Sequence, residues 1–241
     1  MGRTMVRPVH TAWLLPALVA VAVALLVASH GRWWELPDRH NPFAPLVVAD
    51  KPNWLTRHKL DRSTNDPALC RAVLQASGAA ATAMADRDAG SDCGWTNAVQ
   101  LRRSAAVDLA SPVIMSCRTA VSFALWAHHL VQPAAIKHFG RSVRKVEHLG
   151  SYACRNVNNA KEGRRSRHAY AEALDIGGFV LEDGARISVL HDWPRGDDRS
   201  RFLRAAHAGA CRWFDGVLGP EYNRLHADHL HLERGPWRVC R

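Results

Sequence analysis

The run Ala173-Leu174-Asp175-Ile176 constrains this chain more than any other. Its apolar residues and the Gly-Gly-Phe-Val-Leu that follows read as a strand over 173–181 that must be buried, and Asp175 goes in with them. A carboxylate taken out of water is costly unless a cation or strong donors meet it. Two stretches offer such partners. One lies just upstream, Ser166-Arg167-His168-Ala169-Tyr170-Ala171-Glu172; the other is the late run His226-Ala227-Asp228-His229-Leu230-His231. Together they supply two imidazoles and a carboxylate, the set that holds a catalytic zinc with one position left open for water. The plain alternative for Asp175 is a structural salt bridge to one of the chain's many arginines.

In the late run an extended backbone over 229–232 puts His229 and His231 on one face and Asp228 on the other. One imidazole can then bind metal while its neighbour meets the bound water. Asp228 and Glu233 are candidates for supporting or proton-accepting roles. Two other histidine patterns carry less. His191 and Asp198 repeat the spacing of His168 and Asp175, but in a loop with Pro194 and Gly196. His128 and His129 are adjacent on a helix and point apart.

At the N-terminus Arg3, Arg7 and His10 precede an apolar run over 12–28. It is about 17 residues long, near the lower limit for a span. Trp33 and Trp34 follow where an interfacial aromatic belt sits. This favours a transmembrane helix in the inner membrane, single-pass, with the rest of the chain in the periplasm. Val27-Ala28-Ser29 also reads as a cleavage site, so residues 1–29 are an anchor or a signal peptide. Residues 30–65, with four prolines, read as a tether, and residues 66–241 as one domain. The six cysteines (70, 93, 117, 154, 211, 240) contain no CxxC. Behind an export signal they read as disulfides, with the pairing open. A net charge of +10 favours anionic surroundings. The basic residues are scattered and no nucleic-acid motif occurs, so nucleic acid is not an expected partner. Nothing indicates oligomeric state.

Asp66-Pro67 reads as a helix start, with Leu69, Val73 and Leu74 on its inner face. Further helices are expected over 118–138, where Pro133 would kink or divide the rod, and over 199–218. Strands are expected near 98–101, over 143–149 and 173–181, with a hairpin partner at 186–190 after Asp183-Gly184. The expected fold is α+β: a small antiparallel sheet carrying Asp175 and His231, flanked by helices.

Three runs carry a family resemblance: GSYACRNVN (150–158), SRHAYAEALDIGGF (166–179) and HADHLHLE (226–233). Over roughly 67–241 the chain resembles the bacterial extensin-like C-terminal domain. The motif order is also similar to that of the zinc D-Ala-D-Ala carboxypeptidases, the lysostaphin-type endopeptidases and the hedgehog signalling domain. The resemblance implies that His168, Asp175 and His231 bind Zn2+. It implies that Asp228 stands where the carboxypeptidases place their general base, and His229 where lysostaphin-type enzymes place a water-orienting histidine. It implies that Arg155 steadies the oxyanion. In one departure, Ala171 stands where the pattern has glycine. The function so implied is zinc-dependent hydrolysis of amide bonds in peptidoglycan, by a DD-endopeptidase or a carboxypeptidase. The alternative is a non-catalytic envelope- or peptidoglycan-binding scaffold, with zinc or without metal.

Overall fold

The computed structural model describes residues 14–29, 36–104 and 106–241. They fall into two units, Met1–Asn41 and Pro42–Arg241. In the first unit the apolar run forms helix α1 (Leu14–Ser29), 16 residues of LLPALVAVAVALLVAS with no polar face. At ~1.5 Å per residue such a helix extends about 24 Å, short of the ~30 Å hydrocarbon core of a bilayer. Among the described residues no helix is long and apolar enough to cross a membrane. That finding overturns the transmembrane helix expected over 12–28, and with it the inner-membrane contact and the single-pass topology. Arg3, Arg7, His10, Trp33 and Trp34, on which that reading partly leaned, lie outside the described residues.

The second unit opens with α2 (Thr56–Asn65) and α3 (Pro67–Ala76). The Asp66 side chain accepts the backbone N–H groups of Ala68 and Leu69, and Pro67 fills the first turn, so α3 starts where its capping residues dictate. By contrast α2 falls inside the stretch read as a tether. Its sequence, TRHKLDRSTN, has one apolar residue, Leu60, which is fully buried, so packing and not periodicity holds this helix.

Strands β1 (Ala80–Ala83), β2 (Arg87–Gly90), β3 (Cys93–Trp95), β4 (Ala98–Arg103) and β5 (Asp108–Ser116) follow. Next come α4 (Cys117–Trp126), a π-helical turn over Ala127–Val131, and α5 (Gln132–Phe139), closed by Gly140 at φ 66°. The rod expected over 118–138 is thus continuous but re-wound just before Pro133. Then come β6 (Val143–Gly150), β7 (Ala173–Leu181), β8 (Arg186–Ser188), α6 (Val189–Asp192), α7 (Asp198–Ala210), β9 (Gly216–Leu218), β10 (Leu230–Glu233) and β11 (Val239–Cys240). The helix expected to reach residue 218 stops at Ala210. Residues 216–218 instead pair with β10 and β11, and those ladders take the backbone bonds that a longer helix would have used.

The fold is mixed α+β, and its sheet corrects the expectation of a small antiparallel one. Nine strands join in the order β1-β4-β5-β6-β7-β10-β9-β11, with β8 also on β7, while β2 and β3 form a separate hairpin. The β5/β6 and β9/β11 pairs are parallel. Several of these strands are too short to show a period, and β1 (AATA) is mostly exposed without alternation. Sequence patterning therefore could not count them.

The alternation within β7 and β10 sets the site. Leu174, Ile176, Leu230 and Leu232 are fully buried in the main core, which also contains Phe123, Trp126, Phe179 and Phe202 from the same cluster. Asp175 and His231 have the opposite parity, so they leave the sheet on its other face. Three disulfides hold the surrounding chain: Cys70–Cys117 staples α3 to α4, Cys93–Cys154 ties β3 to the segment before His168, and Cys211–Cys240 ties the end of α7 to β11.

Candidate metal centre

Register brings the first two side chains together. β7 and β10 are antiparallel, with Asp175 directly opposite His231. The third arrives from the turn before β7. Ser166 caps a short 3-10 turn over Arg167–Tyr170 by accepting the His168 N–H, and Ala171 then turns the chain into the strand at φ 53°. This left-handed conformation favours glycine. Ala171 is fully buried, so its methyl group fits the space, at some conformational cost.

The ligand atoms of His168, Asp175 and His231 all lie within 4.8 Å of one another, and all three residues are buried. His168 Nε2 is 3.1 Å from Asp175 Oδ2 and 3.2 Å from His231 Nδ1, which is 2.8 Å from Asp175 Oδ1. Two ligands at ~2 Å from a tetrahedral ion are about 3.3 Å apart, so these separations suit one cation with little adjustment.

The outer nitrogens settle what the inner ones can do. His168 Nδ1 donates to the carbonyl oxygen of Ser151 at 2.6 Å, and His231 Nε2 donates to Glu233 Oε2 at 2.9 Å. A neutral imidazole has one N–H, so both inner nitrogens are bare acceptors facing a carboxylate. Three acceptors that meet with no donor between them repel, and a divalent cation removes the conflict. The residues therefore fit such an ion. Glu233 and the Ser151 carbonyl are the outer partners that fix ring orientation at metal sites.

Without metal, the conflict is settled by a proton. Burial alone would lower the His231 pKa, but hydrogen bonds to Asp175 and Glu233 and their charges outweigh it and raise it to about 9. Burial alone would raise the Asp175 pKa; the neighbouring His168 and His231 imidazoles reverse this and hold it far below the usual carboxylate range. Glu233 is likewise pushed up by burial, but its bond to His231 leaves it below the ordinary value.

A linkage prediction follows for the metal-free protein. The His231 pKa is raised on folding, so its stabilisation is fully present below its ordinary value of 6.5 and is lost as pH rises through about 9. The lowered Asp175 pKa stabilises above its ordinary 3.8 and loses that effect as pH falls. Chelator-treated protein should melt at its highest temperature between these limits, with the melting point falling above pH 7. A melting point that is flat from pH 6 to 10 would show that His231 does not carry the proton.

The family model for the Extensin-like protein C-terminus matches residues 68–241. The chain belongs to that family. No curated protein and no solved structure matches it.

In this extensin-like domain the centre opens on a cleft of about 300 Å³, lined by His226, His229, His231, Glu233, Arg155 and Arg164 among others. His229 lies just before β10 and turns inward, its Nε2 3.5 Å from Asp175 Oδ1. Its Nδ1 donates to Asp228 Oδ1 at 2.7 Å. Asp228 itself is about half exposed and spends that oxygen on His229. His229 thus faces the centre, and Asp228 stands behind it. Arg155 follows the Cys93–Cys154 disulfide, with its Nη2 3.8 Å from Asp175 Oδ2. His129, by contrast, is bonded to the carbonyl oxygen of Val48, away from the centre.

Sequence reasoning gave no role to His226. Its ring centroid is 5.2 Å from that of His229 and 5.7 Å from that of His231. Burial first, then the neighbouring His231 and His229, lowers its pKa to about 4. The available signal was Asn223, a helix-capping residue type three positions upstream, which caps the 3-10 turn ending at His226.

Proposed function

We propose that the extensin-like domain is a zinc-dependent hydrolase of peptide (amide) bonds in peptidoglycan, acting as a DD-endopeptidase or a carboxypeptidase. The observation that carries this reading is the convergence of three bare acceptors, His168 Nε2, His231 Nδ1 and Asp175, beside a cleft lined by His229 with its outer nitrogen already bonded. The motif order, similar to that of the zinc D-Ala-D-Ala carboxypeptidases and lysostaphin-type enzymes, supports the choice of metal and substrate class. The cationic cleft wall, Arg155 and Arg164, suits the carboxylates of stem peptides.

In this reading His168, Asp175 and His231 hold the zinc, and Ser151 and Glu233 keep the two rings turned toward it. When bound, zinc supplies a Lewis acid and acidifies water. His229 takes a proton from the attacking water through Nε2, because Asp228 holds its Nδ1–H and fixes the tautomer. Arg155 presents its guanidinium donors to the charge that develops on the carbonyl oxygen.

The roles separate experimentally. His229→Ala should keep its zinc and lower kcat on purified sacculi by ~10²–10⁴-fold, the usual worth of a positioned base. Asp228→Asn should keep zinc and lose about 10–100-fold, as for a lost orienting carboxylate. Zinc content and release of muropeptide amines are measured on the same samples. Full activity in a zinc-loaded His229→Ala protein would sink the mechanism.

A further inference from the structure

Each imidazole of the centre, and His229 on the cleft wall, has one nitrogen occupied: His168 by the Ser151 carbonyl, His231 by Glu233, His229 by Asp228. His226 follows the same rule. Its Nδ1 lies 2.8 Å from Asn223 Oδ1. The backbone decides which amide atom this is, since the same atom accepts the Leu225 N–H at 2.9 Å and so must be oxygen. Nδ1 therefore carries the proton, and Nε2 is a bare acceptor.

The ring is also held in place. Tyr222 packs edge-on against it with centroids 5.4 Å apart, and the rings of His229 and His231 are 5.2 and 5.7 Å away. His226 lines the cleft, yet it is outside the group that can share one ion. Among the described residues nothing donates to its Nε2. A fixed acceptor beside the reacting centre calls for a donor on the substrate. Of the other polar groups on the wall, Arg155 and Arg164 only donate, Glu233 is bonded to His231, and His229 Nε2 is given to the attacking water in the hydrolase reading. An amide substrate carries one donor at the bond to be cut, the N–H of its nitrogen; an ester carries none.

We propose that His226 is a specificity-determining residue whose Nε2 accepts the scissile amide N–H, so that the site selects amides over esters of the same shape. This rests on the hydrolase reading above. Facing an ester oxygen, Nε2 would meet a second acceptor and stay unpaired, which is how a site built for an N–H rejects its analogue.

The test measures binding rather than turnover. The zinc-loaded full chain carrying His229→Ala is titrated by calorimetry with a stem pentapeptide ending in D-alanyl-D-alanine. The titration is repeated with its depsipeptide counterpart, in which oxygen replaces the terminal amide N–H. The amide should bind about tenfold tighter than the ester, the worth of one hydrogen bond. Adding His226→Ala should bring the two affinities together without changing zinc content. His226→Gln, which returns an acceptor oxygen, should restore part of the preference. The proposal is overturned if the amide preference survives without His226, or if His226→Ala loses its zinc. Should neither peptide bind the zinc-loaded protein, the stem-peptide hydrolase reading fails first, and this inference with it.

Discussion

Asp175→Asn removes the charge on which the whole centre depends, and its expected result is loss of metal and activity together. The amide is close in size to the carboxylate, so the strand and its neighbours stay in place. The change in chemistry is large. The site loses its anionic ligand, and the amide can turn its NH2 toward His168 Nε2 or His231 Nδ1, satisfying a nitrogen that would otherwise bind the ion. Second-layer changes cost about 10–100-fold in metal affinity, and a direct ligand exceeds them. Competition against a chelator of known affinity measures the loss, and circular dichroism checks the fold. Unchanged metal affinity in a folded Asp175→Asn protein would remove Asp175 from the site.

The second large effect concerns the charges behind the centre. Asp215 is 5% exposed and meets three guanidinium groups: Arg57 in a short hydrogen bond, Arg234 at 3.4 Å and Arg118 at 3.6 Å. It also accepts the Gly235 N–H at 3.0 Å. Arg234 is 2% exposed and binds the Trp213 carbonyl and Asp61, and its own backbone N–H bonds Glu172. Glu172 in turn pairs with Arg167, next to His168. This network clamps the far end of β10 and the turn that carries His168. Asp215→Ala leaves buried Arg234 and partly buried Arg57 and Arg118 facing one another without their shared carboxylate, and should destabilise the domain by about 3 kcal/mol, the lower end of the range for breaking a buried pair from one side. Denaturant unfolding of the metal-free protein measures it, so that metal linkage does not enter. A change under 1 kcal/mol would mean the arginines pair elsewhere or reach water.

That network also shows where sequence reasoning stops. A net charge of +10 reads as a cationic surface, yet part of it is spent inside, on Arg234 and on partly buried Arg57 and Arg118. Counting charges cannot say which ones find a carboxylate far along the chain. Asp175 was legible because an apolar strand forced it inward, and β7 runs over the residues its composition marks. The meeting of Asp175 with His231 depends on strand register, and only the order of family motifs pointed to it. His226 looked like one histidine among fourteen until Asn223 fixed its ring. β9 and β11 escaped because strands of two or three residues have no period to read. The turn at Ala171, whose positive φ favours glycine, left no trace in composition or periodicity.

The most direct test of the central claim is a zinc titration of the chelator-stripped full chain, read on purified sacculi. New amino groups released from the peptidoglycan are counted at each zinc level. The account predicts that they appear in proportion to bound zinc and reach their full rate at one ion per chain. One zinc bound per chain with no new amino groups would contradict the hydrolase and leave a metal-holding scaffold.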